Sequence, residues 1–419
     1  MSLQASVRDV GIHSGDAAQL DDAVTLLLDA LGRRPALLGL GEPTHGVEVF
    51  PRLRNQMLAS LAGRHGYRSV AIESDCLVAQ VVDDYVTTGE GDLDEVLETG
   101  FSHGFGALPA NRELVAQLRD HNAGADPSRQ VRFFGFDPPL EMTHAPSPRA
   151  CLATALAYLA EHLGDDRLPH DAKTLDTLLG DDAAWENPAI MTDPSQSVGD
   201  TPEANALRLA ADDMIALFGA EAPGLRQASS DADFERAHMY ARTAQGLLRY
   251  HAAMASPSPD RIAHMLGLRD AMMADNLLAV ARTQKRRGPC LVFANNAHLQ
   301  RNQSSLDWAG TRQRWWSAGA IAATVLKDDY AFVASDCGVD EPQADPHGLH
   351  TVLSQAVAER AFFPVESLAA VLERFPSLHA LDNADPRYAP LRPDRLDGAD
   401  AVAFVNAAVN LPPLPRSGW

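Results

Sequence analysis

The sequence is poor in lysine and carries few basic residues. Its 419 residues include only three lysines and 35 basic residues in all, against 56 acidic ones, which gives a formal net charge of −21 at pH 7. A field of this sign repels phosphate backbones and anionic lipid headgroups. The composition therefore argues against a nucleic-acid-binding protein and against a protein that lies on a membrane surface.

Cysteines and long apolar runs are also scarce. The four cysteines are far apart and form no C-x-x-C pair, which argues against a thiolate zinc site and a dense disulfide framework and favours a reducing cytoplasm. The first eleven residues lack a basic region followed by an apolar one, and the most apolar stretch, 317–326, is about half a membrane span long. We expect neither export nor membrane insertion.

The remaining composition is that of a folded globular protein. Hydrophobic residues make up 46% and charged residues 22% of the chain. The length predicts two or three domains, or one large core that carries an insertion.

Short apolar runs closed by glycine or aspartate alternate with helix-period segments, which predicts an α/β fold with a mostly parallel sheet flanked by helices. The predicted strands cover 36–40, 69–72, 131–136, 290–294, 318–325, 331–335 and 401–406. Residues 1–145 are expected to form the first part of this core and residues 288–419 the second part, which ends in a proline-rich wrapping segment with helices at 349–360 and 365–373.

Between the two parts, residues 146–287 show only helical patterns rich in alanine and leucine. They are expected to form a helical insertion that makes one wall of the cleft. Its last helix is predicted to begin at Pro259, capped by Ser258, and to end before Gly288.

The informative polar residues follow the predicted strands, because ligands bind beyond the carboxyl ends of parallel strands. Four strands end in such residues: Glu42 and His45, Glu73 and Asp75, Asp137, and Asn295, Asn296 and His298. Two imidazoles and several carboxylates at one rim suit general acid–base chemistry or metal binding. Taken singly, a carboxylate at the end of a strand is as often the N-cap of the next helix as part of a site. A single histidine is more often a structural group than a functional one. The coincidence at four strand ends favours a site.

The helix after His45 places an arginine in its apolar stripe. Arg54 falls among the stripe residues, whereas Arg52 falls outside them and is expected to be solvated; the stripe consists of Phe50, Leu53, Met57, Leu58 and Leu61. A buried guanidinium needs a carboxylate or an anionic ligand. We predict a direct pair with Glu42, Glu73 or Asp137.

On the long helix before Gly288, Arg269, Met273 and Asn276 share one face. This face either brings two polar groups to the same rim, or Arg269 forms a salt bridge with a nearby loop.

A competing motif surrounds Ser102. The stretch from Gly100 to Gly104 matches the G-x-S-x-G nucleophile elbow, and Ser102, Asp137 and His298 follow the hydrolase order. The elbow requires a buried strand before the serine, but residues 92–98 have the pattern of an acidic helix. A glycine-rich cleft loop is the favoured interpretation.

The sequence from Gly41 to Gly46, G-E-P-T-H-G, resembles the erythromycin esterase family, whose members carry G-E-x-[ST]-H-G after the first strand. Further matching segments follow in the family's order and spacing, and they cover most of residues 30–335: the Arg-x-Arg at 52–54, residues 65–73, 134–137, 269–276, 296–298 and 316–335.

The resemblance implies a hydrolase that opens macrolide lactones without a serine nucleophile, in some members for antibiotic resistance and in others for natural-product biosynthesis. His45 would activate water, Glu42 and Glu73 would be the essential carboxylates, Arg54 the active-site arginine, and His298 the histidine of the fourth strand end. A small-molecule substrate is expected, with no cofactor and no metal. The substrate-binding candidates are Asp137, Asn295, Phe101, His103, Arg269 and Asn276.

Two features depart from the family pattern. Asn295 stands where many members have a histidine, and residues 101–111 lack the tryptophans expected there. Three alternatives stay open: a biosynthetic enzyme that forms or rearranges a bond in the same cleft, a metal hydrolase that uses Glu42, His45, Glu73 and His298 as ligands, and a non-catalytic binding protein.

Overall fold

The structure is a computed structural model, and it describes residues 2–141, 144–308, 310–338, 345, 347–380 and 388–406. The chain divides into two compact units. One contains the chain up to Phe136 and from Met273 onward, and the other contains residues 137–272. No helix in the described part of the chain is both long enough and apolar enough to cross a membrane.

The first unit contains an eight-stranded sheet and a separate hairpin, which confirms the α/β class. The sheet order is β1-β9-β10-β8-β2-β5-β3-β4, and β6 pairs with β7. The strands are β1 (Ile12–Ser14), β2 (Leu37–Glu42), β3 (Ser69–Asp75), β4 (Arg132–Asp137), β5 (Cys290–Asn295), β6 (Gln303–Trp308), β7 (Thr311–Trp316), β8 (Tyr330–Cys337), β9 (Arg360–Pro364) and β10 (Ala401–Val405).

The middle of the sheet is parallel, from β10 through β8, β2 and β5 to β3, whereas β1 and β9 are antiparallel additions at one edge. Every residue of β2, β3, β5, β8 and β10 is buried. Burial on both faces explains why these strands are continuous apolar runs in the sequence. Two apolar clusters, one on each face, form the core of this unit.

The helices are α1 (Leu3–Asp9), α2 (Ala17–Ala30), α3 (Val49–Arg64), α4 (Ala79–Thr88), α5 (Leu93–Thr99), α6 (Pro109–Asn122), α7 (Arg149–Leu163), α8 (Ala172–Leu179), α9 (Asp182–Trp185), α10 (Pro202–Ala228), α11 (Asp231–Met254), α12 (Arg261–Gln284), α13 (Asn296–Leu299), α14 (Ala318–Leu326), α15 (Leu349–Ala356) and α16 (Val365–Leu372). Residues 137–272 contain α7 to α11 and the first half of α12. Their role as a wall of the cleft stays a prediction.

A topological switch point lies between β2 and β5. The helix after β2, α3, packs through Phe50 and Leu53 into one apolar cluster, whereas Leu299 and Ala318 from α13 and α14, which follow β5, pack into the other. The chain therefore leaves these neighbouring strands toward opposite faces. A crevice at the carboxyl ends of such strands is the usual ligand site of an open α/β sheet.

The predicted strand at 318–325 is wrong, because these residues form α14. Ser317 caps this helix by accepting a hydrogen bond from the Ala320 N–H, and alanine and glycine dominate its first turn. A run of nine residues in which only Thr324 is polar has no periodicity with which to distinguish a buried helix from a buried strand.

Two helix boundaries also differ from the sequence predictions. The helix predicted over 349–360 ends at Ala356, and Arg360 begins β9. The helix predicted from Pro259 begins at Arg261, because the Ser258 hydroxyl accepts from the Asp260 N–H within a turn. Strands β1 and β9 and the β6–β7 hairpin were not predicted from the sequence.

Candidate active site

Three neighbouring strands bring polar side chains to one end of the sheet. Glu42, the last residue of β2, lies opposite Asn295, the last residue of β5. Glu73 lies in β3, on the other side of β5. His45 follows β2 in a turn where Gly46 has a φ of 79°, a conformation that favours glycine. The predicted strand-end groups of β2, β3 and β5 are therefore close together.

His45 lies between two buried carboxylates. Its Nδ1 is 2.7 Å from Oε1 of Glu42, and its Nε2 is 3.5 Å from Oε1 of Glu73. The carboxylates are 5% and 3% exposed. The short contact with Glu42 orients the imidazole ring and, with the proton on Nδ1, leaves Nε2 as the basic nitrogen.

Glu73 also contacts the second histidine of the site. The Nε2 of His298, on α13, is 3.2 Å from Oε1 of Glu73, and the Asn295 N–H donates to Oε2 at 2.8 Å. The two imidazoles therefore approach the same carboxylate oxygen, while the other oxygen is held by the backbone of β5.

The buried charges shift each other's protonation. Burial alone would raise the pKa of Glu73, but the imidazoles of His298 and His45 hold it well below its usual range. Burial alone would lower the pKa of His45, but Glu73 and Glu42 raise it to about 10. Burial raises the pKa of Glu42 despite the nearby cations. His45 is therefore an imidazolium near neutral pH, and it becomes a base only on proton loss.

Arg54 is buried, as the helical stripe predicted, and Arg52 is half-exposed beside Glu48 and Glu113. The predicted direct pair of Arg54 with a strand-end carboxylate is wrong for the described residues. Its Nε and Nη2 instead donate to Oδ1 of Asn55, at 3.0 and 2.7 Å.

The guanidinium of Arg54 is held by more than the Asn55 amide. It lies 5.0 Å from the centre of the Phe293 ring, a cation–π contact. Burial lowers the pKa of Arg54 to about 10, although the charge of Glu42 opposes this shift. Arg54 therefore stays charged at neutral pH and acts on Glu42 through space.

A small pocket adjoins these charges. Apolar side chains form most of its wall, and Glu42, Glu73 and Arg54 supply the charged part; the other lining residues are Pro51, Ile72, Phe105, Leu108, Asn111, Phe293 and Ala294. Its lining, apolar with a few converging polar groups, has the composition of a small-molecule site.

The loop after α5 places aromatic rings beside His45. The Phe105 ring centre is 5.2 Å from that of His45 and 5.4 Å from that of His103. His103 has a φ of 57°, an unusual conformation for a residue with a side chain. Phe101, in contrast, is buried against Phe133. The substrate-binding roles of His103 and Phe101 stay predictions, and Phe105, which sequence reasoning missed, is the loop residue next to the imidazole.

Ser102 lies outside the context of a nucleophile elbow. Helix α5, capped by Asp92, precedes its loop, as predicted, in place of a strand. The Ser102 hydroxyl accepts from the Asp75 N–H at 2.8 Å, and the Ser102 N–H donates to the Ser74 hydroxyl at 2.9 Å. These contacts fix the loop to the end of β3.

Asp137 and Arg269 pair with each other within residues 137–272. The Nε and Nη2 of Arg269 donate to the two carboxylate oxygens of Asp137 at 2.9 and 2.6 Å. Asn276 donates to the Phe136 carbonyl at 3.1 Å. These contacts are structural, and the substrate-binding roles predicted for the three residues stay predictions.

Asn295 connects several parts of the site. Its Oδ1 accepts from the Ala297 N–H at 2.9 Å and so caps α13, the helix of His298. Its Nδ2 lies 3.5 Å from the Pro43 carbonyl oxygen. An asparagine at this position therefore links the turn that carries His45 to the helix that carries His298, and direct substrate binding by it stays a prediction.

Sequence reasoning missed the contribution of β8. Near its end lies Ser335, whose hydroxyl donates to the Gly41 carbonyl. The Asn296 side-chain amide donates to the Ser335 carbonyl and accepts from the Ser335 N–H. The signal was present, because Ser335 and Asp336 end an apolar run in the same way as the other strand-end groups.

Within the described ranges, no group of three or more His, Cys, Asp or Glu side chains has the arrangement of a metal site. The strand-end imidazoles and carboxylates pair with one another.

Comparisons with known proteins point to one family and one fold. A family model described as Erythromycin esterase matches residues 62–394. A Bacillus cereus crystal structure is similar over 96% of both chains, with a TM-score of 0.71 and 16% identity. A succinoglycan biosynthesis protein is similar over 96% of both chains, with a TM-score of 0.69 and 15% identity.

A mutant of the erythromycin esterase EreC in its open conformation is similar over 94% of this chain and 95% of that chain, with a TM-score of 0.65 and 16% identity. At these identities the structural likenesses concern the fold. No curated protein matches the sequence significantly.

Proposed function

The chain belongs to the erythromycin esterase family, and from this premise we propose that it is a hydrolase that opens an ester or macrolactone with water activated by His45. The observation that supports the proposal most is the contact of Nδ1 of His45 with the buried carboxylate of Glu42, at 2.7 Å. A histidine oriented by a carboxylate is the usual arrangement for a general base.

The proposed reaction needs only the residues of the site. Neutral His45 takes a proton from water at Nε2, and the hydroxide attacks the carbonyl carbon. The tetrahedral intermediate then collapses, the carbon–oxygen bond to the alcohol breaks, and the departing oxygen takes up a proton. His298, whose Nε2 is 3.2 Å from Glu73, is the proposed donor of that proton.

The carboxylates and Arg54 have supporting roles. Glu42 holds the ring of His45, and Glu73 stabilises positive charge on both imidazoles. The positive charge of Arg54 offsets part of the negative charge of the buried Glu42 and Glu73 carboxylates. The adjoining apolar pocket receives part of the substrate.

The direct test is incubation with a panel of macrolactones and simple esters in ¹⁸O-labelled water, followed by mass spectrometry. We expect a product heavier than its substrate by one labelled water. His45→Gln should lower the rate by about 10²–10⁴-fold, the usual contribution of a general base. His121→Gln, at an exposed helix position, is the matched control and should keep full activity.

Other outcomes identify the alternatives. A product of unchanged mass, or one that has lost water, would indicate a rearranging or bond-forming enzyme. Ligand that binds and is recovered unchanged would indicate a binding protein. Either result would overturn the proposed hydrolysis.

A further inference from the structure

Strand β8 ends in a buried carboxylate for which the proposed reaction has no use. Asp336 is 2% exposed and lies at the carboxyl end of β8, the neighbour of β2 in the sheet. An ionisable group is costly to bury unless its hydrogen bonds are made. The partners of Asp336 therefore indicate what the group does.

Two partners of Asp336 come from a segment far along the chain, residues 388–391. The Tyr388 hydroxyl donates to Oδ1, and the Leu391 N–H donates to Oδ2 at 3.1 Å. The Cys337 N–H also donates to Oδ1, at 2.9 Å. Burial and the charge of Asp336 raise the pKa of Tyr388, so the phenol keeps its proton and acts as a donor. Asp336 thus anchors the segment at two points.

Between these two points the segment contacts the turn that carries His45. The Ala389 N–H donates to the Pro43 carbonyl at 2.6 Å, and the Ala389 carbonyl accepts from the Asn296 amide at 3.3 Å. Pro43 directly follows Glu42. On the other side of Glu42, the Gly41 carbonyl accepts from the Ser335 hydroxyl. Both backbone carbonyls that flank Glu42 therefore accept hydrogen bonds, one from β8 itself and one from the segment that β8 anchors.

We propose that the Asp336–Tyr388 pair positions the Glu42–His45 pair. The anchored segment fixes the Pro43 carbonyl, which fixes the backbone of Glu42 and hence the 2.7 Å contact between its carboxylate and Nδ1 of His45. Tyr388 and Asp336 are positioning residues in this account, since they contact neither imidazole. The proposal concerns the geometry of the pair, so it can fail or hold independently of ester hydrolysis.

The test is the pKa of His45, measured by NMR in protein labelled at histidine Cε1, with the signal assigned by its absence in His45→Gln. We expect Tyr388→Phe to lower the pKa of His45 by about one unit or more, because a displaced Glu42 stabilises the imidazolium less. Tyr67→Phe is the matched control. The Tyr67 hydroxyl is also buried but has no hydrogen-bond partner among the described residues, so its removal should leave the pKa unchanged.

A purely structural role for Tyr388 predicts a different result. Thermal unfolding would then shift in Tyr388→Phe while the His45 titration stayed as in the wild type, and this outcome would overturn the proposal. If Tyr388→Phe does not fold, Asp336→Asn weakens the same anchor instead, because it removes the charge and one of the two acceptors that hold the segment. The same titration then decides: a lowered pKa of His45 supports the proposal, and an unchanged one refutes it.

Discussion

Individual residues of the site depend on one another's charge more than on contact with solvent. Glu42 contacts one ring nitrogen of His45 and Glu73 contacts the other, and Glu73 also contacts His298. A proton added or removed at one group therefore changes the charge state of the others, so that measured pKa values belong to the set. Arg54, whose pKa is about 10, adds a second positive charge to this set at neutral pH, beside that of His45.

Substitution of Arg54 tests its position in the helix. Arg54→Lys keeps the charge but loses the two donors to Asn55 and the planar contact with Phe293, so we expect kcat/KM to fall by about 10–100-fold. Arg54→Ala should also lower the free energy of unfolding by about 1–3 kcal/mol, because it leaves buried polar groups unpaired.

The control is Arg52→Ala, two residues away on the same helix. Arg52 is half-exposed, and its contacts with Glu48 and Glu113 are 3.5 and 3.4 Å long. Such pairs contribute about 0–1 kcal/mol. Loss of activity in Arg52→Ala but not in Arg54→Lys would contradict the assignment.

Among the secondary-structure elements, the parallel strands and α3 could be predicted because their side-chain pattern is local. Continuous apolar runs identified β2, β3 and β5, and the residues after them formed the site. The burial of Arg54 followed from helical periodicity, but its partner did not. Asn55 takes its orientation from the Ala110 carbonyl, 55 positions away. Strand β9 and the 388–391 segment depend on pairing with distant parts of the chain, so no local pattern predicted them.

The loop beside His45 is fixed by close backbone packing at Gly106. A Cβ atom there would lie 1.8 Å from the Leu97 carbonyl oxygen. We expect Gly106→Ala to displace the loop and lower the thermal unfolding temperature. Gly63→Ala is the control, because nothing lies within 4 Å of its added Cβ and the residue is inside α3. That substitution should stabilise the protein by about 0.5–1 kcal/mol. Equal stability of the two variants would show that the loop is not packed in this way.

For the molecule as a whole, the fold is similar to that of the solved structures over almost the full chain at only 15–16% identity. The candidate catalytic groups, in contrast, are few. They lie at the switch point between β2 and β5, where the fold provides a crevice for many different ligands. We expect substrate identity to depend on the pocket residues Phe105, Leu108 and Asn111, because they lie in a stretch where the sequence departs from the family pattern. The fold and the clustering of the strand-end groups could therefore be predicted from the sequence, but the substrate could not.

The pH dependence of kcat/KM, compared between the wild type and Glu42→Gln, tests the general-base role of His45 most directly. Two carboxylates raise the pKa of His45 to about 10, and only the neutral imidazole accepts a proton. In the wild type, kcat/KM for the ester that the panel identifies should rise about tenfold per pH unit from neutrality and stop rising near pH 10, where His45 has lost its proton and Arg54 begins to lose its charge. Glu42→Gln removes one carboxylate charge, so the plateau should begin about 1–3 pH units lower and be reduced in height. A rate that is constant from pH 6 to 9, or that falls as the pH rises, would contradict the account.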